Sequence, residues 1–287
     1  STPKPSSAAS DVYKRQLTPL DVIDDLKTVV KLNLDQIPIA ALYDHLMGAY
    51  LSGVQEISVQ SESPLTRNSR NDIRRFLRST RGFEIGQETD SNVHLISLLN
   101  AGELPLHASL NRMYLLFSSM IRDIYDVLIG SDDDLISDFE EREREADGLH
   151  YLIERQVGSM LDSQHVARSL GLSRKEGVEH ANLARSLERM MDHAHEMARL
   201  TLETTPRPRL KQDEYPLSLL PVCMEALKSL MINLRVHDPY QIEEARESLK
   251  AAQIALTEHE ERLWSCLLYT SDAADEGLGV DLGGRRI

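Results

Sequence analysis

Between Leu106 and Leu128 an apolar side chain returns every three or four residues: Leu106, Leu110, Met113, Phe117, Met120, Ile124 and Leu128 share one stripe. That is the helical repeat. A strand, whose side chains alternate, cannot hold these residues on one face. From Leu104-Pro105 to residue 264 the pattern recurs in five stretches. The spacing predicts helices over about 106–129, 133–169, from after Gly171 to about 204, about 215–236, and onward from Asp238-Pro239. Gly130 ends the first, and Ser131 or Asp132 caps the second. Ser173 and Glu176 stand at capping-box spacing before the third, and Pro206 and Pro208 break the chain after it. Long helices on short connections build up-and-down bundles. The expected plan is a three-helix bundle over 104–205 and the first two helices of a second bundle over 212–265.

Residues 37–103 follow a different pattern. Ile39, Leu42, Leu46 and Ala49 space as a helix that Gly53 stops, and Val54–Val59 alternates as a strand. Asp72–Thr80 is a basic helix, and Phe83–Thr89 and Val93–Leu99 read as two more strands, so a small α/β unit precedes the bundles. Residues 17–36 read as the tail of a truncated N-terminal domain. The expected fold class is mainly α, with a small α/β unit in front. Forty-six acids against 32 bases give a net charge of -14, which disfavours general binding to DNA or to an anionic membrane. No uninterrupted apolar run reaches the roughly 18–20 residues of a membrane span, so no membrane insertion is expected. Two cysteines cannot make a disulfide framework, which fits a cytoplasmic setting.

The two ends look foreign to the rest. SSAASDVYKRQ at 6–16 and CLLYTSDAADE at 266–276 can be encoded by one DNA string and its reverse complement. Such an inverted repeat resembles a translated transposase-type sequencing adapter, and GVDLGGRRI at 279–287 resembles its outer part. Residues 1–16 and 266–287 are therefore expected to be adapter-derived and to pack poorly, and the chain reads as a metagenomic fragment.

On the second long helix the stripe runs Phe139, Glu143, Ala146, His150, Ile153, Val157 and Met160, so Glu143 and His150 take slots meant for apolar residues. Asp147 lies one turn beyond Glu143. On the third helix Glu188 and Asp192 repeat that spacing beside the stripe of Leu183, Leu187, Met190, Ala194 and Met197. Like charges at this spacing cost a helix about 0.2–0.5 kcal/mol, more when buried. A cation resolves the conflict, and oxygen donors suit magnesium, manganese, iron or zinc. The plain alternative pairs these acids with Arg142, Arg144, Arg185 and Arg189 on solvated faces. A di-iron oxidase needs Glu-x-x-His on each of two helices, and the nearest match is Asp147-x-x-His150, once. No phosphate-binding glycine loop and no nucleophile triad stands out. Cys223, among Leu219, Val222 and Leu227, reads as a core thiol.

With these residues in view, RSLERMMDHAHEMA (185–198) resembles the Arg-x-x-Glu-Arg-x-x-Asp-His-Ala signature of PhoU domains. FEEREREADGLHYLIERQV (139–157) is similar to the preceding helix of that domain. AYLSGVQEISV (49–59), Arg74 and Arg75, GFEIGQET (82–89) and ASLNRMYLLFSSMIRD (108–123) resemble the archaeal PhoU-like layout. The resemblance implies tandem three-helix bundles that bind metal through acid-x-x-x-Asp motifs, with Glu143, Asp147, Glu188 and Asp192 as ligands and Asp123 as a further one. It implies a regulator, not an enzyme. Such a protein restrains phosphate uptake through contacts with phosphate ABC transporter components or an associated signalling protein, as a homodimer. Archaeal members often carry an AbrB-type DNA-binding domain in front, which here would lie mostly before Leu17. The alternative is therefore a transcriptional regulator that uses the bundles as sensor. The basic helix with Arg67, Arg70, Arg74, Arg75, Arg78 and Arg81 keeps that reading open. One departure is that Arg262 stands where an Asp would follow Glu258, so the second bundle lacks the full motif.

Overall fold

In the computed structural model, residues 29–100 and 102–279 are described, with side chains no further than Ser265. The fold is mainly α, with a four-stranded sheet in its N-terminal part, as the sequence predicts. The elements are β1 (Val29–Asn33), α1 (Leu42–Leu51), β2 (Glu56–Gln60), α2 (Arg67–Ser79), β3 (Phe83–Glu88) and β4 (Asn92–Ser97). They continue with α3 (Leu106–Ile129), α4 (Phe139–Asp162), α5 (Gln164–Leu170), α6 (Arg174–Glu203), α7 (Leu220–Val236) and α8 (Pro239–Gly279). The chain divides into two compact units. The first takes in the chain up to Leu116 together with Glu140–Asp192, and the second takes in Phe117–Phe139 and the chain from His193 on.

In the first unit the strand order is β1-β2-β4-β3, with β1 parallel to β2 and the other pairings antiparallel. Helix α1 is the crossover that a parallel pair requires. It stops where Gly53 takes a φ of +83°, a conformation glycine adopts without steric cost. Leu42, Leu46, Tyr50, Ile57, Val59, Phe76 and Leu95 are fully buried between the sheet and its helices. Sequence reasoning starts this unit at residue 37, but Val29–Asn33 pairs in full register with Glu56–Gln60. The partner of a parallel strand lies far along the chain, so nothing local marks β1 as part of this sheet.

Also in the first unit, Leu106, Leu110 and Met113 of α3 pack with Ile153 and Val157 of α4 and Ala184 and Leu187 of α6. This is the core of a three-helix arrangement, built on the apolar stripes of the sequence. The single helix expected over 133–169 is broken. A 3₁₀ turn spans Asp133–Ile136, and α4 ends at Asp162. The Ser163 hydroxyl then accepts a hydrogen bond from the Val166 N–H and starts α5. A serine that can cap a new helix competes with continuing the old one. The capping box before α6 forms as expected: Ser173 N–H donates to Glu176 Oε2 at 2.8 Å, and Glu176 N–H to Ser173 Oγ at 3.2 Å.

The second unit buries Met120, Ile124 and Val127 of α3, with Ala194 and Ala198 of α6. Helices α7 and α8 form a hairpin around His237, which takes the left-handed conformation. Asn233 ties this turn, with its Nδ2 donating to Ser229 O and Gln241 Oε1 and its Oδ1 accepting from Asp238 N–H. The hairpin buries mainly the small residues Ala226, Ala245 and Ala252. Ile232, Leu234, Val236, Ile254, Leu263 and Trp264 stay exposed, as expected of two helices that cannot cover each other's faces. Leu217–Val236, with mean hydropathy 1.4, is long and apolar enough by length and composition to cross a membrane. Counting unbroken apolar runs passes over it, because Glu225 and Lys228 interrupt the run and pair with each other. Helix α8 runs to Gly279, into the stretch read as adapter, while residues 1–16, the expected site of poor packing at the other end, lie outside the described residues.

Candidate metal centre

Two glycines and a buried arginine of α4 meet the α/β layer. A Cβ on Gly148 would come within 3.2 Å of Arg81 Nε and 3.5 Å of Ser79 O, and one on Gly158 within 3.2 Å of Leu51 O. These glycines let α4 lie against the ends of α1 and α2. Between them Arg155, only 3% exposed, donates to Tyr50 O at 2.5 Å and to Val54 O at 2.6 Å. Its guanidinium sits 4.9 Å from the Tyr50 ring centroid and 5.1 Å from that of Phe83. Burial lowers its pKa, an effect partly offset by Tyr50. The Tyr50, Phe76 and Phe83 rings meet edge to face at 5.7–6.1 Å, so the arginine closes an aromatic cluster.

One stretch nearer the N-terminus of α4, ligand atoms of Glu143, Asp147 and Asp192 lie within 4.8 Å of one another, the first two residues half-buried and the third exposed. The i,i+4 spacing aims Glu143 and Asp147 the same way, and α6 brings Asp192 across. Glu188 belongs to the same electrostatic neighbourhood. Its pKa is raised by burial and by Asp192, and lowered by His150 and Arg189. Asp147 is the most perturbed carboxyl, pushed up to about 7 by burial and then by Glu143, Asp192 and Glu188. Asp123 lies on α3 within the second unit. Of the arginines that the alternative reading assigned to these acids, Arg185 instead pairs with Glu154 at 2.7 Å, and Arg144 donates to Glu140 O.

Sequence reasoning missed Tyr151 and Tyr43. Burial, Asp147 and Tyr43 push the Tyr151 phenol up to about 12. The signal was present: Tyr151 stands four residues after Asp147, on the same face. His150, in its apolar slot, is 8% exposed, and its Nε2 is 3.3 Å from Glu154 Oε1 without hydrogen-bond geometry. Three converging carboxylates, with Asp147 pushed up by its neighbours, suit a hard or borderline cation, whose charge would replace the proton on Asp147.

Helices α4 and α6 thus bring Glu143, Asp147 and Asp192 onto one carboxylate cluster, with Glu188 outside it but electrostatically coupled. Residues 110–201, the stretch holding both pairs, match the family model of the PhoU domain. That match covers about a third of the chain and supports a PhoU domain over those residues. No curated protein and no solved structure matches it.

The Asp147 shift fixes a pH dependence. Its folded pKa, about 7, lies above its ordinary value of 3.8. The folded metal-free chain therefore holds a proton that the unfolded chain releases between those values. This contribution is fully present below about pH 4 and is lost as pH rises through 7. In chelator, the melting temperature of the native chain relative to an Asp147→Asn variant should fall by several degrees from pH 5 to pH 8. A difference that stays flat or rises over that range would contradict the shift.

Proposed function

We propose that this chain is a metal-binding regulator of phosphate uptake and phosphate homeostasis. It acts as a negative regulator through contacts with phosphate ABC transporter components or an associated signalling protein. The PhoU-domain match over 110–201 supports the role in phosphate homeostasis and favours a regulatory over an enzymatic reading. The observation that carries the metal reading is the convergence of Glu143, Asp147 and Asp192 within 4.8 Å. With Glu188 they make an oxygen donor set suited to magnesium, manganese, iron or zinc. The bound metal would neutralise the cluster and lock α4 to α6, fixing the outer surface of the bundle for a protein partner.

The test is phosphate uptake in cells that lack their own PhoU-domain protein and express this chain. The native chain should lower uptake in phosphate-rich medium. Asp147→Asn with Asp192→Asn should relieve that repression at equal protein level. Uptake unchanged by the native chain, or repressed equally by the variant, would contradict the reading.

A further inference from the structure

Two carboxylates of the cluster, Glu143 and Asp147, also line a cleft. Its walls are Tyr43 of α1, Arg75, Arg78 and Ser79 of α2, and Glu143, Asp147 and Tyr151 of α4 with Arg144 beside them, around a volume of about 470 Å³. Two of the proposed metal ligands thus share one cavity with two arginines from a different layer of the fold.

The two arginines are set differently from their neighbours on α2. Arg70 is committed to structure, because it pairs with Glu88 and donates to the Thr89 and Asp90 carbonyls. Arg75 and Arg78 stand one turn apart, and neither has an ion-pair partner among the described residues, although acids outnumber bases 46 to 32 in the chain. Arg75 is held flat, its guanidinium carbon 4.1 Å from the Tyr43 ring centroid, which leaves its N–H edge available for a planar, bidentate contact. Gly148 lets α4 approach the end of α2 closely, and so fixes the distance between the arginines and the acids.

A cleft with carboxylates on one wall and unpaired guanidinia on the other has no single-ion ligand. A cation alone satisfies the acids, and an anion alone meets the acids' repulsion. A cation with an oxyanion bound to it satisfies both walls. Tetrahedral phosphoryl oxygens match the fork of each guanidinium and are hard donors for the same metals.

We propose that the cleft binds free inorganic phosphate, held between the cation on Glu143, Asp147 and Asp192 and the guanidinia of Arg75 and Arg78. This rests on the metal reading above. Phosphate binding is then metal-dependent, and by reciprocity phosphate tightens the metal by the same factor. The chain would thereby sense the ion whose uptake it regulates.

The experiment uses the full chain and two titrations at fixed ionic strength. Manganese is titrated first, then inorganic phosphate into the manganese-loaded protein. The variants are Arg78→Gln alone, which leaves the stacking of Arg75 on Tyr43 untouched, and Arg75→Gln with Arg78→Gln. Native protein should bind phosphate only when loaded. The double variant should keep its manganese affinity in the absence of phosphate and bind phosphate at least about tenfold more weakly, with the single variant between. Equal phosphate affinity in native and double-variant protein, or manganese without phosphate binding, overturns the inference and leaves the metal reading standing. Failure to bind manganese overturns both. A phosphoserine peptide that binds more tightly than inorganic phosphate overturns the assignment to the free ion.

Discussion

A chain carrying Asp147→Asn together with Asp192→Asn is expected to melt at the same temperature with and without chelator, whereas the native chain melts higher when metal is present. On the metal reading proposed above, the native carboxylates would bind a cation only when folded, because no unfolded chain brings α4 and α6 together. Metal held at a hundred times its dissociation constant therefore stabilises by about 2.7 kcal/mol. For a protein of this size that is about 5–10 °C. In chelator the order reverses. Glu143, Asp147, Glu188 and Asp192 then repel one another, as the raised pKa values of Asp147 and Glu188 record. Neutral amides relieve that repulsion, so the metal-free variant should outlast the metal-free native chain near pH 8. A variant that still responds to chelator by the native amount would remove these carboxylates from the site.

The second large effect lies at Arg155. Arg155→Met should destabilise the protein by about 2–4 kcal/mol, since the Tyr50 and Val54 carbonyls each lose a charged donor and stay buried. Methionine removes the cost of burying a cation and fills much of the volume, which keeps the loss from being larger. Arg155→Lys should fall between, because one ammonium cannot reproduce a two-pronged contact. Denaturant unfolding checks this, and a change under about 0.5 kcal/mol for Arg155→Met would show that the bridge contributes nothing net. Such a variant should keep its carboxylate cluster, because Arg155 faces the ends of α1 and β2's approach, not the acids.

The helices of this chain were legible because their physics is local. The stripe from Leu106 to Leu128, the Ser173/Glu176 box and the Gly53 stop each involve residues within a few turns of one another. The cluster was legible for the same reason: Glu143 breaks an apolar stripe, and Glu188/Asp192 repeats its spacing. What escaped depends on residues far apart. The pairing of Val29–Asn33 with β2 joins strands separated by a helix. The commitment of Arg155 to Tyr50 and Val54 spans about a hundred positions, and the cavity shared by Arg75 and Arg78 with Glu143 and Asp147 joins α2 to α4 where Gly148 lets them approach. The break at Ser163 was missed for a subtler reason, since the apolar periodicity carries on across it and only the cap distinguishes two helices from one.

The most direct test is an anomalous difference map from crystals of the full chain grown with manganese and measured on the high-energy side of the manganese edge. The expected result is a peak within about 2.0–2.5 Å of carboxylate oxygens of Glu143, Asp147 and Asp192. A map without a peak there, or with peaks only at acids outside α4 and α6, would contradict a metal centre in this bundle.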